Sequence, residues 1–199
     1  ADGVRFDIAG TVLYPPRPLT PGGFMTIADG TGAIGLYDVT PRPGASVSAG
    51  DRIRVTGHTE TDSRNLVYPS CRAFSVLGRD TPPPPKAATA GQLLDGTLDF
   101  QSVSFTGTVR DIFIDEIDPR TLFFVLSDGS RTIYAALPRS PSGPSANRAR
   151  YEGAVVTVQG VCTHSGHGYR RHLGRYILVC DEDFITVVRP PTSPFDVPA

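Results

Sequence analysis

Residues 49–57, AGDRIRVTG, return as EGAVVTVQG at residues 152–160, and this repetition decides the fold class of the chain. A second match precedes it, because VRFDIAGTV at residues 4–12 returns as VSFTGTV at residues 103–109. The spacing between matching residues stays at about one hundred and changes only where loops differ in length, which is typical of two copies of one folded unit.

Each copy is predicted to contain five strands, because runs rich in Val, Ile, Phe, Tyr and Thr are separated by turns rich in Gly, Pro, Asp and Ser. IADG at 27–30 and its counterpart LSDG at 126–129 are predicted as the hairpin turns between strands two and three. A long first strand, that hairpin, a wider gap and a second hairpin follow the order of an OB-fold barrel. We therefore expect an all-β chain of two tandem OB-fold-like five-stranded barrels. The predicted strands are 4–14, 23–29, 33–39, 51–60 and 66–78 in the first copy, and 101–115, 120–127, 131–137, 153–163 and 173–188 in the second.

A polyproline run, TPPPPK at 81–86, predicts an extended spacer between the copies. A short helical turn is predicted after Thr89, whose side chain suits an N-cap, and at most one turn is expected in the gap 138–152. The predicted domains are an OB-like repeat at 1–80, a Pro-rich linker at 81–96, a second OB-like repeat at 97–190 and a C-terminal tail at 191–199 that leads to a downstream region.

The composition of the 199 residues excludes several classes of protein. With 21 Gly and 19 Pro, a helical bundle is excluded. The 19 Lys and Arg balance 20 Asp and Glu, so that no bulk charge attracts nucleic acid or an anionic membrane, and no nucleic-acid partner is expected. No apolar run approaches the length of a membrane-spanning helix, and we expect a soluble segment.

Neither the cysteines nor the known catalytic motifs predict an enzyme. Cys162 and Cys180 flank a hairpin-like stretch and can meet across it as a disulfide, the alternative being that both are buried thiols. The sequence contains no P-loop, no Gly-x-Ser-x-Gly elbow and no His-Glu-x-x-His motif. We therefore predict no catalytic residue and no cofactor.

The densest polar cluster lies between strands four and five of the second copy, in a loop that often borders the binding face of OB barrels. Its arginines suggest recognition of a carboxylate, phosphate or sulfate, because guanidinium groups pair bidentately with such anions. A metal ion bound by His164, His167 and His172 is an alternative, although the loop contains no Cys or carboxylate to complete a tetrahedral coordination shell. A solvated hairpin tip with no specific role is the third interpretation. The candidate ligand residues are His164, His167, Tyr169, Arg170, Arg171, His172 and Arg175.

Aromatic residues on strands two and three are further candidates, because flat rings stack on bases and sugars. The stretch LFFVL at 122–126 is apolar on both faces, so that one face fills the barrel and the other meets either the neighbouring repeat or a ligand. The candidates are Phe24 and Tyr37 in the first copy, with Phe123 and Tyr134 in the second.

Several of these motifs together resemble the tandem OB-like extracytoplasmic sensory region of bacterial sensor histidine kinases. The motifs are GTV, the DGTG turn, GDRIRVTG, the Pro-rich linker, VSFTGTVR, VQGVC and SPFDVP at 193–198. In that family such repeats precede a membrane segment and cytoplasmic signalling domains. The resemblance therefore implies a periplasmic or extracytoplasmic location, with membrane association only through a downstream segment, and it supplies no ligand residues.

We expect a non-enzymatic sensory region that binds an unknown small-molecule or protein signal and passes a change of state to a downstream switch. One alternative is an OB-type module that binds oligosaccharide or single-stranded nucleic acid. The other is a structural spacer or a dimerisation module that forms a homodimer.

Overall fold

The computed structural model describes residues 2–17, 23–40, 46–62, 65–139, 144–164 and 174–191, without the side chains of 144–146. Contacts between Cα atoms divide the chain into two units. The first comprises Ala1–Pro84 with Phe100–Ser102, and the second comprises Pro85–Asp99 with Val103–Ala199. The segment predicted as a linker, 81–96, thus contributes to the second unit from Pro85 onward. Among the described residues, no helix is long and apolar enough to cross a membrane.

The first unit is a closed five-stranded barrel with the order β1-β2-β3-β5-β4, which is the predicted OB order. All neighbouring strands are antiparallel except β3 and β5, which meet in parallel at Tyr37 and Ser70. Its five strands confirm the predicted five. They are β1 (Arg5–Arg17), β2 (Phe24–Ala28), β3 (Ala33–Tyr37), β4 (Asp51–Thr61) and β5 (Val67–Arg79).

The second unit repeats this order, since β7, β8, β9, β11 and β10 follow one another and β10 pairs back onto β7. The short strand β6 adds to β7, and β12 adds to β10. The chain is therefore mostly β, with two tandem OB-fold-like barrels. The elements of this unit are β6 (Lys86–Ala87), α1 (Ala90–Asp95), β7 (Ser102–Ile114), β8 (Thr121–Ser127), β9 (Thr132–Pro138), α2 (Pro144–Tyr151), β10 (Val155–His164), β11 (Arg175–Leu178) and β12 (Ile185–Arg189).

The prediction of one continuous fifth strand over 173–188 is wrong, because this stretch contains two strands. Strand β11 pairs with the end of β10, and β12 pairs with the beginning of β10. A 3₁₀ helix at Glu182–Phe184 separates them, because the Asp181 carboxylate accepts a hydrogen bond from the Asp183 amide at 2.9 Å and turns the chain.

The two helices are short and differ in how well the sequence predicts them. The Thr89 hydroxyl accepts a hydrogen bond from the Gln92 amide, and the Gln92 side chain accepts one from the Thr89 amide, so α1 has a complete capping box. This confirms the predicted turn after Thr89. Helix α2 is longer than the single turn predicted, and its last residue, Tyr151, is fully buried with its ring centroid 5.4 Å from that of Phe124.

Each barrel encloses its own apolar core. Alternation along β4 shows how the sequence builds it, because Ile53 and Val55 are fully buried while Arg52 and Arg54 are exposed. The first core contains Val12, Met25, Ile27, Leu36, Val39, Ile53, Val55 and Cys71. The second includes Val109, Ile112, Leu122, Phe124, Leu126, Ile133, Val156, Val158 and Ile177.

Glycines that recur in the sequence repeat lie where strands of a barrel approach most closely. A Cβ atom on Gly57 would collide with the Ser70 carbonyl oxygen and would lie 2.5 Å from the Phe6 ring. At the matching position of the second barrel, a Cβ atom on Gly160 would collide with the Leu178 carbonyl oxygen. Both glycines are therefore required by the crossing of the fourth and fifth strands.

We expect Gly57→Ala to lower the free energy of unfolding by about 1–3 kcal/mol, because the backbone of β5 must shift to admit the methyl group. Urea unfolding followed by circular dichroism measures this effect. Gly30→Ala is the matched control, since a Cβ atom there would meet nothing within 4 Å. A Gly57→Ala variant within about 0.5 kcal/mol of the unsubstituted chain would show that the close approach imposes no constraint.

Candidate anion-binding groove

The structure brings together two of the predicted loop residues, His164 and Arg175, which are paired across β10 and β11. Both contact one carboxylate. Arg175 donates from Nε to Asp99 Oδ1 at 2.8 Å and from Nη2 to Asp99 Oδ2 at 3.1 Å, while His164 Nδ1 lies 3.3 Å from Asp99 Oδ2. We call these three residues the loop clamp, because they fix the base of the predicted ligand loop.

Within the loop clamp, the Arg175 nitrogens that could donate to an anion already donate to groups of the chain itself. The third nitrogen of Arg175, Nη1, donates to the Leu94 carbonyl at 3.2 Å and so binds the C-terminal end of α1. Burial would raise the pKa of the Asp99 carboxyl, but the hydrogen bonds from Arg175 and the close contact with His164 outweigh burial and hold that pKa below its usual range. In this structure Arg175 therefore serves the fold, and its role as a ligand contact stays a prediction.

The other loop candidates, His167, Tyr169, Arg170, Arg171 and His172, lie outside the described residues. In the part of the chain that the structure describes, no group of three or more His, Cys, Asp or Glu side chains is arranged to hold a metal ion. The anion and metal interpretations of this loop stay predictions.

The aromatic candidates meet within each barrel. The ring centroids of Phe24 and Tyr37 are 5.2 Å apart, and those of Phe123 and Tyr134 are 6.5 Å apart. Phe24 is only 3% exposed and Phe123 only 1%, so stacking on either ring would require a rearrangement that uncovers it. Their assignment as ligand contacts also stays a prediction.

The disulfide considered between Cys162 and Cys180 is not formed, since all three cysteines are free thiols. Cys162 pairs with Ile177 across β10 and β11, and Cys180 lies beyond the end of that pairing. Burial raises the pKa of the Cys162 thiol to about 12, which is the behaviour of a small apolar core residue and not of a reactive thiolate.

An open groove of about 680 Å³ lies on the first barrel, where β1, β4 and β5 run side by side. Arg5 pairs with His58 across β1 and β4, so these two side chains lie next to each other. We call this the basic groove. Its lining residues are Gly3, Arg5, Phe6, Asp7, Thr56, Gly57, His58 and Arg72.

A β-bulge places Arg72 in the basic groove. Thr56 pairs with Ala73 and Gly57 pairs with Cys71, so Arg72 is the extra residue of β5 at this point. Bulges commonly redirect a side chain from the regular alternation of a strand.

The charges of the basic groove are only partly compensated. Asp7 is paired with Arg54, which donates from Nε and Nη2 to the two carboxylate oxygens, both at 2.7 Å. This bidentate hydrogen bond lowers the pKa of Asp7. Arg5 and Arg72 have no ion pair with any described residue, which leaves two guanidinium groups available to an anion.

A polar chain on β4 and β5 adjoins these arginines. His58 Nε2 lies 3.0 Å from Glu60 Oε1, and the Tyr68 hydroxyl donates to Glu60 Oε2 at 3.0 Å. Burial, together with the hydrogen bond to Glu60, raises the pKa of Tyr68 to about 12, so this phenol stays protonated at neutral pH.

The basic groove has no local signature in the sequence, because its charged residues come from three strands that are distant along the chain. The alternation of exposed Arg52, Arg54 and Thr56 with half-buried His58 on β4 is a signal that could have indicated one polar stripe. Nothing in the sequence shows that Arg72 joins it, since that depends on the bulge.

We expect Asp99→Asn to lower the free energy of unfolding at neutral pH by about 1–3 kcal/mol, because Arg175 and His164 lose a charged acceptor. The pKa of Asp99 is lowered in the folded chain, so its contribution is complete above the unfolded value of about 3.9 and is lost as the pH falls through the lower folded value. Urea unfolding at neutral pH and near pH 3 should therefore show the difference shrinking in acid. Glu116→Gln, an exposed change of the same charge, is the control, and a pH-independent deficit in Asp99→Asn would contradict the ionic role.

No protein-family model matches this sequence, and no curated protein matches it. Solved structures with a similar fold include asparaginyl-tRNA synthetase from Pyrococcus horikoshii, with a TM-score of 0.41 and 17% identity over 57% of this chain and 24% of the synthetase. Aspartyl tRNA synthetase from Entamoeba histolytica matches with a TM-score of 0.42 and 16% identity over 55% of this chain and 22% of the synthetase.

A murine DNA binding protein bound with double-stranded DNA is similar over most of both chains, with a TM-score of 0.41 and 11% identity over 94% of this chain and 100% of that one. By contrast, the chain spans about a quarter of the length of the synthetases it matches. TM-scores and sequence identities this low say nothing about the function of this chain.

Proposed function

We propose that this chain is a non-enzymatic binding module whose first barrel takes an anionic ligand in the basic groove. The observation that carries the proposal is the pair Arg5 and Arg72, two guanidinium groups that line one groove without an ion pair to any described residue. Guanidinium groups match the oxygen pairs of carboxylate, phosphate and sulfate groups.

The rest of the basic groove suits such a ligand. The Asp7 carboxylate would repel an anion, but Arg54 neutralises it through two hydrogen bonds. Thr56 adds a hydroxyl on the same exposed face of β4. The groove is open to solvent, which suits an extended ligand or the end of a larger one.

The nearly neutral chain makes this attraction local. With a net charge of −1, the chain has no long-range field for an anion, and the two arginines act only within a Debye length of about 8–10 Å. We therefore expect moderate affinity that falls as salt is added.

The groove supports binding better than catalysis. Its imidazole, His58, is bonded to the Glu60 carboxylate and not to the Thr56 hydroxyl, so the described residues form no nucleophile and base pair there.

The sequence resemblance suggests the setting in which such a module acts. We propose that it is an extracytoplasmic sensory region, where a ligand in the basic groove biases a downstream switch by binding one state of the region better than another. A spacer or dimerisation role predicts instead that no anion binds.

We expect fluorescence anisotropy at low salt to show binding of a labelled twelve-nucleotide oligothymidylate, a labelled heparin-derived hexasaccharide, or both. The two probes distinguish a phosphodiester chain from a sulfated saccharide. Arg5→Ser with Arg72→Ser should weaken binding at least about tenfold, because each lost charged hydrogen bond is worth on the order of 1.5–3 kcal/mol.

Two double variants with the same change of charge locate the site. Arg110→Ser with Arg189→Ser removes two exposed arginines of the second unit and should leave binding unchanged. Arg170→Ala with Arg171→Ala tests the rival loop predicted from sequence. Absence of binding to both probes would contradict the proposal, as would binding that survives in the Arg5 and Arg72 variant and is lost in the loop variant.

A further inference from the structure

We propose that the outer face of β2 and β3 is a binding site for a small planar ring, and that the Phe100 ring occupies this site as an internal ligand. We call it the ring site, and it comprises Phe24, Thr26, Gly35 and Tyr37. Other residues line the basic groove, so this proposal does not depend on the anion site.

The ring site faces away from the core of the first barrel. Met25 lies in that core, so its neighbours along β2 face outward. Thr26 pairs with Gly35 across the two strands, which places them on one face. Phe24 and Tyr37 form the next outward pair, and their ring centroids lie 5.2 Å apart in an edge-to-face arrangement. Because Gly35 has no side chain, the backbone of β3 is open to a flat group beside these two rings.

The Phe100 ring lies directly on that glycine. A Cβ atom on Gly35 would be 2.5 Å from Phe100 Cε1 and 2.7 Å from Cδ1, so the ring fills the space that a side chain would take. Its centroid is 6.3 Å from that of Phe24, with an angle of 38° between the ring planes. Phe100 precedes β7 in the sequence, but its contacts place it with the first unit. The ring site therefore already holds one six-membered ring.

Two features show that Phe100 fits the ring site imperfectly. Its φ angle is +64°, a left-handed conformation in which a bulky residue is strained. Thr26 is fully buried, yet its hydroxyl has no hydrogen-bond partner among the described residues. A phenylalanine ring offers no hydrogen-bonding group, so it leaves this hydroxyl unsatisfied at a cost in free energy.

These features define the chemistry of the ligand. A ring of the same size with a hydroxyl group at its edge can lie on the Gly35 backbone and exchange a hydrogen bond with Thr26. Its binding also releases Phe100 from the strained conformation. The ligand class is therefore a free monocyclic phenol. Because Phe100 covers the ring site, the apparent affinity of such a ligand is lowered by the fraction of chains in which the site is covered.

The test is an NMR titration of the whole chain with p-cresol. We expect saturable amide shifts at residues 24–26, 35–37 and 100. Binding to Phe100→Gly should be at least about tenfold tighter, because the internal ligand is removed and glycine accepts the positive φ angle. Phe184→Gly removes an exposed ring of the second unit and should bind p-cresol like the unsubstituted chain.

Toluene is the matched probe, since it differs from p-cresol only in lacking the hydroxyl. We expect p-cresol to bind about fivefold more tightly than toluene, and Thr26→Val to abolish this preference. This comparison is made in the unsubstituted chain as well, so it does not depend on the folding of Phe100→Gly.

Three results would overturn the proposal. One is equal affinity of Phe100→Gly and the unsubstituted chain for p-cresol, and another is a set of shifts confined to residues outside the ring site. The third is equal binding of p-cresol and toluene, which would exclude the phenol as the ligand class. None of these results would affect the basic groove, whose residues and probes are different.

Discussion

The close contact between the fourth and fifth strands constrains both barrels. In the first, the Ser70 carbonyl occupies the space where Gly57 would carry a side chain, and in the second the Leu178 carbonyl does the same at Gly160. Only glycine admits this approach, which explains why both copies end the repeated stretch with that residue. A five-stranded barrel needs strands that curl strongly, and a contact without a side chain lets two backbones come close enough to do so.

This contact also organises the chemistry of the first barrel. The bulge that accompanies it lies between Thr56 and Gly57 and inserts Arg72 into β5. The pairing of β1 with β4 then sets Arg5 beside His58. The second copy has the fold without this set of charges, since Ser104 matches Arg5 in the sequence repeat and Val161 matches His58. The two barrels thus share one architecture and differ in the side chains at these two positions.

Sequence patterns predicted the barrels well because barrel strands carry their signal locally. Alternation in β4 and the Asp-Gly turns at 29–30 and 128–129 are short-range features, and they give the strands and their order. The split of the last strand at Glu182–Phe184 escaped detection, because it depends on a single Asp181 side-chain hydrogen bond. The basic groove could not be predicted, because it depends on the register of β1 against β4 and on the bulge of β5 against β4, and neither is a property of one segment alone.

The most direct test of the anion-binding groove is a backbone-amide NMR titration of the whole chain with sodium sulfate at constant ionic strength. We predict saturable shifts centred on residues 3–7 at and before the start of β1, on residues 56–58 of β4 and on Arg72 of β5. Their apparent dissociation constant should be the same for all of these amides. Shifts confined to residues 165–175, or small linear shifts spread over the whole chain, would contradict an anion site in the first barrel.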